Sequence, residues 1–317
     1  MRRRQFVATL GAGLAGTFVP PWPRLRREQF VERWSWAMGQ AVHVVVFAES
    51  DDQGLDACAR ALAELRRVED RLSLFDDASD LCELNRRRSM RADSDLCAIL
   101  RAASTFRQET AGAFDAAVEP LMRVWGFHRP RHDMPNQIEI AAAREAVATA
   151  IVRLSDDRVS LPSTHTQLDF GGIAVGYGID RAIGVLRTAG IRRAFVDVSG
   201  DCYGMGAPPG EPAGWSVQIA GSARTVRLRD AALATSSNNE SVIHLGRRVL
   251  GHVMDPASGW PADTRRQVTV VARTTIAADA LSTAALVSAR CAREALAMYT
   301  TTGSETADVA LRACARL

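Results

Sequence analysis

The segment Leu168–Arg181, LDFGGIAVGYGIDR, decides how this chain is read. Gln167 to Phe170 predicts a short strand, Gly171 and Gly172 follow as a pair, and a helix runs from Ala174 to Ala189, closed by Gly190. Glycines at such a join let backbone approach a ligand closely, and the opening helix offers unpaired N–H groups and a positive dipole end to phosphate. A tight turn that needs glycine for its geometry gives the same pattern. The spacing is not GxGxxG and no Walker lysine follows, so neither a Rossmann nor a P-loop nucleotide site is written here.

Working outward, the period of the sequence changes on either side of this join. Upstream, Ala41–Ala48 (AVHVVVFA) predicts a β-branched strand, and Leu55–Leu72 carries apolar residues at helical spacing. A second helix is expected from about Asp93 towards Gly112, and a third over Ile138–Ala150, before short strands at Ile151–Leu154 and Arg158–Leu161. Downstream, Ala194–Val198, Trp215–Ala220, Ala223–Leu228 and Gln267–Ala272 predict strands, with a last helix from about Ile276. Clustered strands with helices between the clusters indicate an α+β fold rather than an alternating parallel one.

Two further motifs carry chemistry. In ADALST (Ala278–Thr283), Asp279 and Thr283 stand four apart and share a helical face. A carboxylate and a hydroxyl so placed offer two hard oxygen ligands to Mg2+; helix capping by Asp279 with back-bonding by Thr283 is the alternative. In GHVMDPASGWP (Gly251–Pro261), His252 sits in a rigid Pro/Gly loop, where it is either a general base or a structural histidine. No GxSxG nucleophile elbow is present.

Charge and cysteines narrow the class. The net charge of +3 is spread through a 317-residue chain with interspersed signs, and aromatic residues make up only 6%, so a nucleic-acid surface is not indicated. The six cysteines form no CxxC pair, which argues against structural zinc. Residues 1–30 read as a leader: Arg2, Arg3 and Arg4, then Gln5–Phe6–Val7 and a mildly apolar Gly/Ala run, similar to a twin-arginine signal. No cysteine stands near its end for a lipoprotein anchor, so a periplasmic protein with one domain over 31–317 is expected.

Taken in order, the motifs resemble the ApbE family, the FAD:protein FMN transferases, from about Val42 to Leu296. The resemblance is carried by FDDASDLCELN (Phe75–Asn85), GAFDAAVEPLMRVWGF (Gly112–Phe127), LDFGGIAVGYGIDRA, SGDCYGMG (Ser199–Gly206), GHVMDPASGWP and ADALST. It implies a T-fold-related α+β architecture of mixed sheets with packed helices. It also implies that Phe75, Ala113, Phe114, Asp115, Asp169 and Val175 contact FAD. The backbone carbonyl of Gly172 with the side chains of Asp279 and Thr283 would hold Mg2+, and His252 falls on the family's loop histidine. The implied reaction moves FMN from FAD onto a threonine or serine hydroxyl of an acceptor redox protein, typically membrane-associated, with release of AMP.

The sequence departs from the family pattern at named places. Val175 stands where lysine is common, and Arg181 is the candidate for the missing positive charge. Ser199–Gly200–Asp201 replaces a Gly–Gly–Asp turn, Ala117 replaces a threonine, and ATSSNNE (Ala234–Glu240) lacks the Ser–Gly…Tyr form. Two other readings accompany the transferase: an FAD-binding protein without turnover, and a Mg2+-dependent FAD pyrophosphatase.

Overall fold

A computed structural model describes residues 28–219, 223–239, 241–262 and 267–290. The leader expected over residues 1–30 lies almost wholly outside them, although the first strand already begins at Gln29. In chain order the elements are β1 (Gln29–Ala37), β2 (Gln40–Ala48), α1 (Asp51–Leu72), α2 (Asp80–Arg87), β3 (Ser89–Arg91), α3 (Ser94–Glu109), α4 (Glu119–Trp125) and α5 (Gln137–Ala148). Next come β4 (Arg153–Ser155), β5 (Arg158–Ser160), α6 (Ala174–Thr188), β6 (Arg193–Val198), β7 (Asp201–Met205), β8 (Trp215–Gln218) and β9 (Thr225–Leu228). The last are β10 (Ala231–Ser237), β11 (Val242–Leu245), β12 (Arg248–Gly251), β13 (Met254–Asp255), β14 (Trp260–Pro261), β15 (Gln267–Ala272) and α7 (Thr275–Val287).

The centre is a six-stranded sheet in the order β1-β2-β6-β7-β10-β15, antiparallel at every pairing. Alternation along each strand assigns its faces. Val42, Val44 and Val46 of β2, Ala194 and Val196 of β6, Ala232 and Ala234 of β10, and Val268 and Val270 of β15 join the main core beneath α1, α6 and α7. The opposite side chains, among them Cys202, Leu233 and Val271, pack with the β8–β9 hairpin. Helices on one face of an antiparallel sheet are the α+β architecture that the clustering predicts.

Local signals set the helix ends. Ser50 caps α1 by accepting from the Gln53 N–H, and Asn136 and Glu139 form a reciprocal capping box on α5. The expected strand at Gln167–Phe170 is not one. Its polar backbone is satisfied by a side chain instead: Asn85 Oδ1 accepts from the Leu168 N–H and Asn85 Nδ2 donates to the Leu168 carbonyl, both at 2.8 Å. The Asp169 N–H donates to the Ala116 carbonyl at 2.8 Å. The Gly/Gly join is thereby hung from α2 and from the 113–117 loop. The turn read at Ser199–Gly206 is confined to Ser199 and Gly200, both at positive φ, and Asp201 already begins β7.

Candidate active site

The site is built where the N-termini of α6 and α7 meet. Neither helix is capped by the side chain of its own N-cap residue, Ile173 or Thr274. Each is capped by an aspartate of the other. Asp279 Oδ2 on α7 accepts from the Gly176 N–H at 2.9 Å. Asp180 on α6 accepts from the Thr275 N–H at 2.8 Å and the Ile276 N–H at 2.9 Å. The helices approach so closely that a Cβ on Gly176 would stand 2.5 Å from the Thr275 carbonyl oxygen. Burial pushes the Asp279 carboxyl up to about 7, offset in part by the Gly176 N–H and reinforced by the nearby Asp180. Burial raises Asp180 as well, against the pull of its two backbone donors.

A cavity of ≈ 230 Å³ opens over this node. Gly172, Val175, Asp279 and Thr283 line it together with Ala113, Phe114, Asp115, Asp169 and His252. The absent side chain of Gly172 matters here, because a Cβ would lie 3.1 Å from Thr283 Oγ1 and 3.5 Å from the Phe114 ring. Asp115 is held from behind: Arg107 Nε lies 2.8 Å from Oδ2 and the Ala117 N–H donates to Oδ1 at 2.9 Å. Burial still raises its carboxyl above the ordinary range. Asp169 closes a tight turn by accepting the Gly171 N–H at 2.7 Å.

His252 is placed by Asn238. That buried amide accepts the Val253 N–H at 2.7 Å and donates to the Ala262 carbonyl at 2.6 Å, clamping both ends of the loop. Gly251 has to be glycine for this, since a Cβ would fall 2.0 Å from the Asn238 carbonyl oxygen. His252 Nδ1 lies 3.3 Å from the Ser241 carbonyl, which can only accept. A ring protonated on Nδ1 satisfies that contact.

Of the residues expected at the site, only Phe75 is elsewhere. It is 86% exposed over a neighbouring cleft that it lines with His128 and Glu119. The two hollows adjoin, because His128 Nε2 is 3.5 Å from Asp169 Oδ2 and the Phe75 ring meets His128 edge-on at 5.8 Å. Arg181 does not replace the missing lysine. It turns away from the cavity to pair with Glu64 at 3.0 Å and Asp95 at 3.4 Å, and it is absent from the cavity wall. Asp201 and the run Thr235–Ser236–Ser237 line the cavity without having been singled out as site residues.

The wall chemistry fits a hard cation. Asp115, Asp169, Asp201 and Asp279 line the cavity, and no lysine or arginine does so among the described residues. Asp279 has one oxygen on Gly176, and its other oxygen takes no hydrogen bond from the described residues. No three His, Cys, Asp or Glu side chains among the described residues are placed to hold a metal ion together, so these residues form no closed cage. One carboxylate beside a hydroxyl suits Mg2+, which keeps positions for phosphate and water.

Comparison with known proteins follows the same lines. A model described as the ApbE family matches residues 38–306. The FAD:protein FMN transferase of Treponema pallidum (strain Nichols) is 29% identical over 251 residues, covering 70% of this chain and 68% of that relative. The apo form of the Pseudomonas stutzeri flavinyl transferase ApbE superposes with a TM-score of 0.73 at 26% identity, covering 83% of this chain and 87% of that one. The ApbE protein of Thermotoga maritima superposes at 0.75 with 27% identity, covering 85% and 90%.

Proposed function

The chain belongs to the ApbE family, and from that membership we propose that it is a Mg2+-dependent FAD:protein FMN transferase acting on a threonine or serine of an exported acceptor protein. The observation that carries this reading is the acidic lining around Asp279 and Thr283, to which no lysine or arginine among the described residues contributes. A pyrophosphate entering such a cavity needs a cation to neutralise both partners.

Gly172, Asp279 and Thr283 would hold Mg2+, which when bound supplies charge neutralisation of the pyrophosphate and of the leaving phosphate. The protein's own groups do the rest. The N-terminal end of α6 opens at the cavity, where Gly172 and Val175 line it, and the carboxylates of Asp279 and Asp180 hold the two helix ends in register. The 113–115 loop and Val175 shape the apolar side of the cavity. The acceptor hydroxyl attacks the phosphorus of the FMN half, forming a new P–O ester as the bond to the bridging oxygen breaks. AMP leaves with that electron pair. The hydroxyl proton passes to a base, a role suited to His252, which lines the cavity. The protein contributes chiefly position and electrostatics, as in other phosphoryl transfers.

Incubating the protein with FAD, Mg2+ and an acceptor protein bearing a reactive threonine tests the proposal. Covalent FMN on the acceptor is the expected product. AMP with free FMN would replace the transferase by a pyrophosphatase, and unchanged FAD would leave a binding protein. Asp279→Ala is expected to reduce transfer by a factor on the order of a hundred or more, since a lost metal ligand removes most of the electrostatic stabilisation. Full activity in that variant would remove the cation from the scheme. Export is supported by the arginine-led N-terminus, and secretion of a fused reporter by residues 1–30 would test it.

A further inference from the structure

Thr283 does not stand alone in the cavity wall. Its Oγ1 lies 3.1 Å from Ser236 Oγ on β10, Ser236 Oγ lies 2.7 Å from Ser282 Oγ, and Ser282 Oγ lies 2.9 Å from the Asp279 backbone carbonyl. These are three contacts, and three hydroxyls supply one proton each. The carbonyl can only accept, so the Ser282 proton goes to it. Ser236 must then donate to Ser282. Ser236 has no proton left, so Thr283 must donate to Ser236. One arrangement satisfies every contact, and in it the Thr283 proton is engaged by Ser236.

We infer that Ser236 and Ser282 are positioning residues that lock the Thr283 hydroxyl with its lone pairs towards the cation position. The inference rests on the Mg2+ site proposed above. A hydroxyl binds a cation only through its oxygen, and a freely rotating one spends part of its time presenting a proton instead. The chain of hydroxyls removes that option before the ion arrives, as the outer partners of metal ligands do elsewhere. It also accounts for a hydroxyl at Ser236, whereas Thr235 pairs with Thr269 and Ser237 with Asn239. The chain joins β10 to α7, so the orientation of the ligand depends on sheet and helix being docked.

Ser282 makes the test sharp, because its hydroxyl reaches Thr283 only through Ser236. The full-length protein with FAD and no acceptor is titrated with Mn2+, a hard cation whose free form is counted by electron paramagnetic resonance. Ser236→Ala and Ser282→Ala are each expected to weaken Mn2+ binding on the order of tenfold, the usual effect of losing an outer partner. Ser236→Thr, which keeps the hydroxyl, is expected to bind within about twofold of the wild type. Thermal unfolding of each variant confirms that the fold is retained. Wild-type affinity in both alanine variants would overturn the relay while the cation site stood. Absence of Mn2+ binding in the wild type would overturn the cation site, and the relay with it.

Discussion

Val175 faces a cavity lined by aspartates, in a chain whose 39 Lys and Arg residues are all arginine. On the proposed reading, the cavity would meet a pyrophosphate through a bound cation rather than through an ammonium group. Val175→Lys would add one charge-assisted hydrogen bond, worth about 1.5–3 kcal/mol. It is expected to lower the KM for FAD by roughly tenfold, read from initial rates at fixed Mg2+; an unchanged KM would mean that position 175 is out of reach of the phosphates. At this scale the sequence was informative where a residue type announces its chemistry. Asp279, Thr283, Gly172 and His252 could all be named from spacing and type, and the structure gathers them in one cavity. Phe75 is implied only by the resemblance, and nothing in its local pattern says that it overhangs a separate cleft. Arg181 shows the converse limit: its charge was visible, its direction was not, because Glu64 and Asp95 come from other helices. Ser236 was invisible, since a hydroxyl in a strand has no periodic signature.

At the scale of elements, the reciprocal capping of α6 and α7 organises the site. Both helices were legible from their apolar spacing, and α6 was placed to within one residue at its end. Their dependence on each other is not legible, because Asp180 carries no local signal and Asp279 reads as a metal ligand or a cap of its own helix, not as the cap of α6. Two alanine substitutions in α6 separate the effect of the crossing from that of helix propensity. Gly176→Ala forces a Cβ to within 2.5 Å of the Thr275 oxygen and is expected to cost about 1–3 kcal/mol by overpacking. It should lower the melting temperature and, by displacing Asp279, reduce transfer as well. Gly184→Ala meets nothing within 4 Å and is expected to stabilise the protein by about 0.4–1 kcal/mol with transfer unchanged. Equal melting temperatures in the two variants would mean that the crossing tolerates separation.

Across the whole molecule, three helices are tied together on the far side of α6 from the cavity. Arg67 of α1 bridges Glu64 on its own helix and Asp95 of α3, while Tyr177 and Arg181 of α6 reach the same carboxylates. Burial alone would raise Asp95, but Arg67 and the Tyr177 hydroxyl outweigh it and hold its carboxyl below the usual range. Hydrogen bonding from Arg67 likewise lowers Glu64, against a smaller effect of burial. Carboxylates depressed in the folded state contribute stability that is complete above their unfolded values, near pH 4, and lost as pH falls through the folded ones. Arg67→Gln removes the chief cause of the depression. It is expected to move the acid-unfolding midpoint, followed by circular dichroism, to higher pH; an unmoved midpoint would assign acid stability to other groups. The capping pair has a further consequence in time. Gly176 and Asp279 are 103 positions apart, so α6 leaves the ribosome with an unfinished end and remains so until nearly all the described fold has been synthesised. On the proposed reading, the cation position would therefore be completed only late in synthesis, when Asp279 and Thr283 are made.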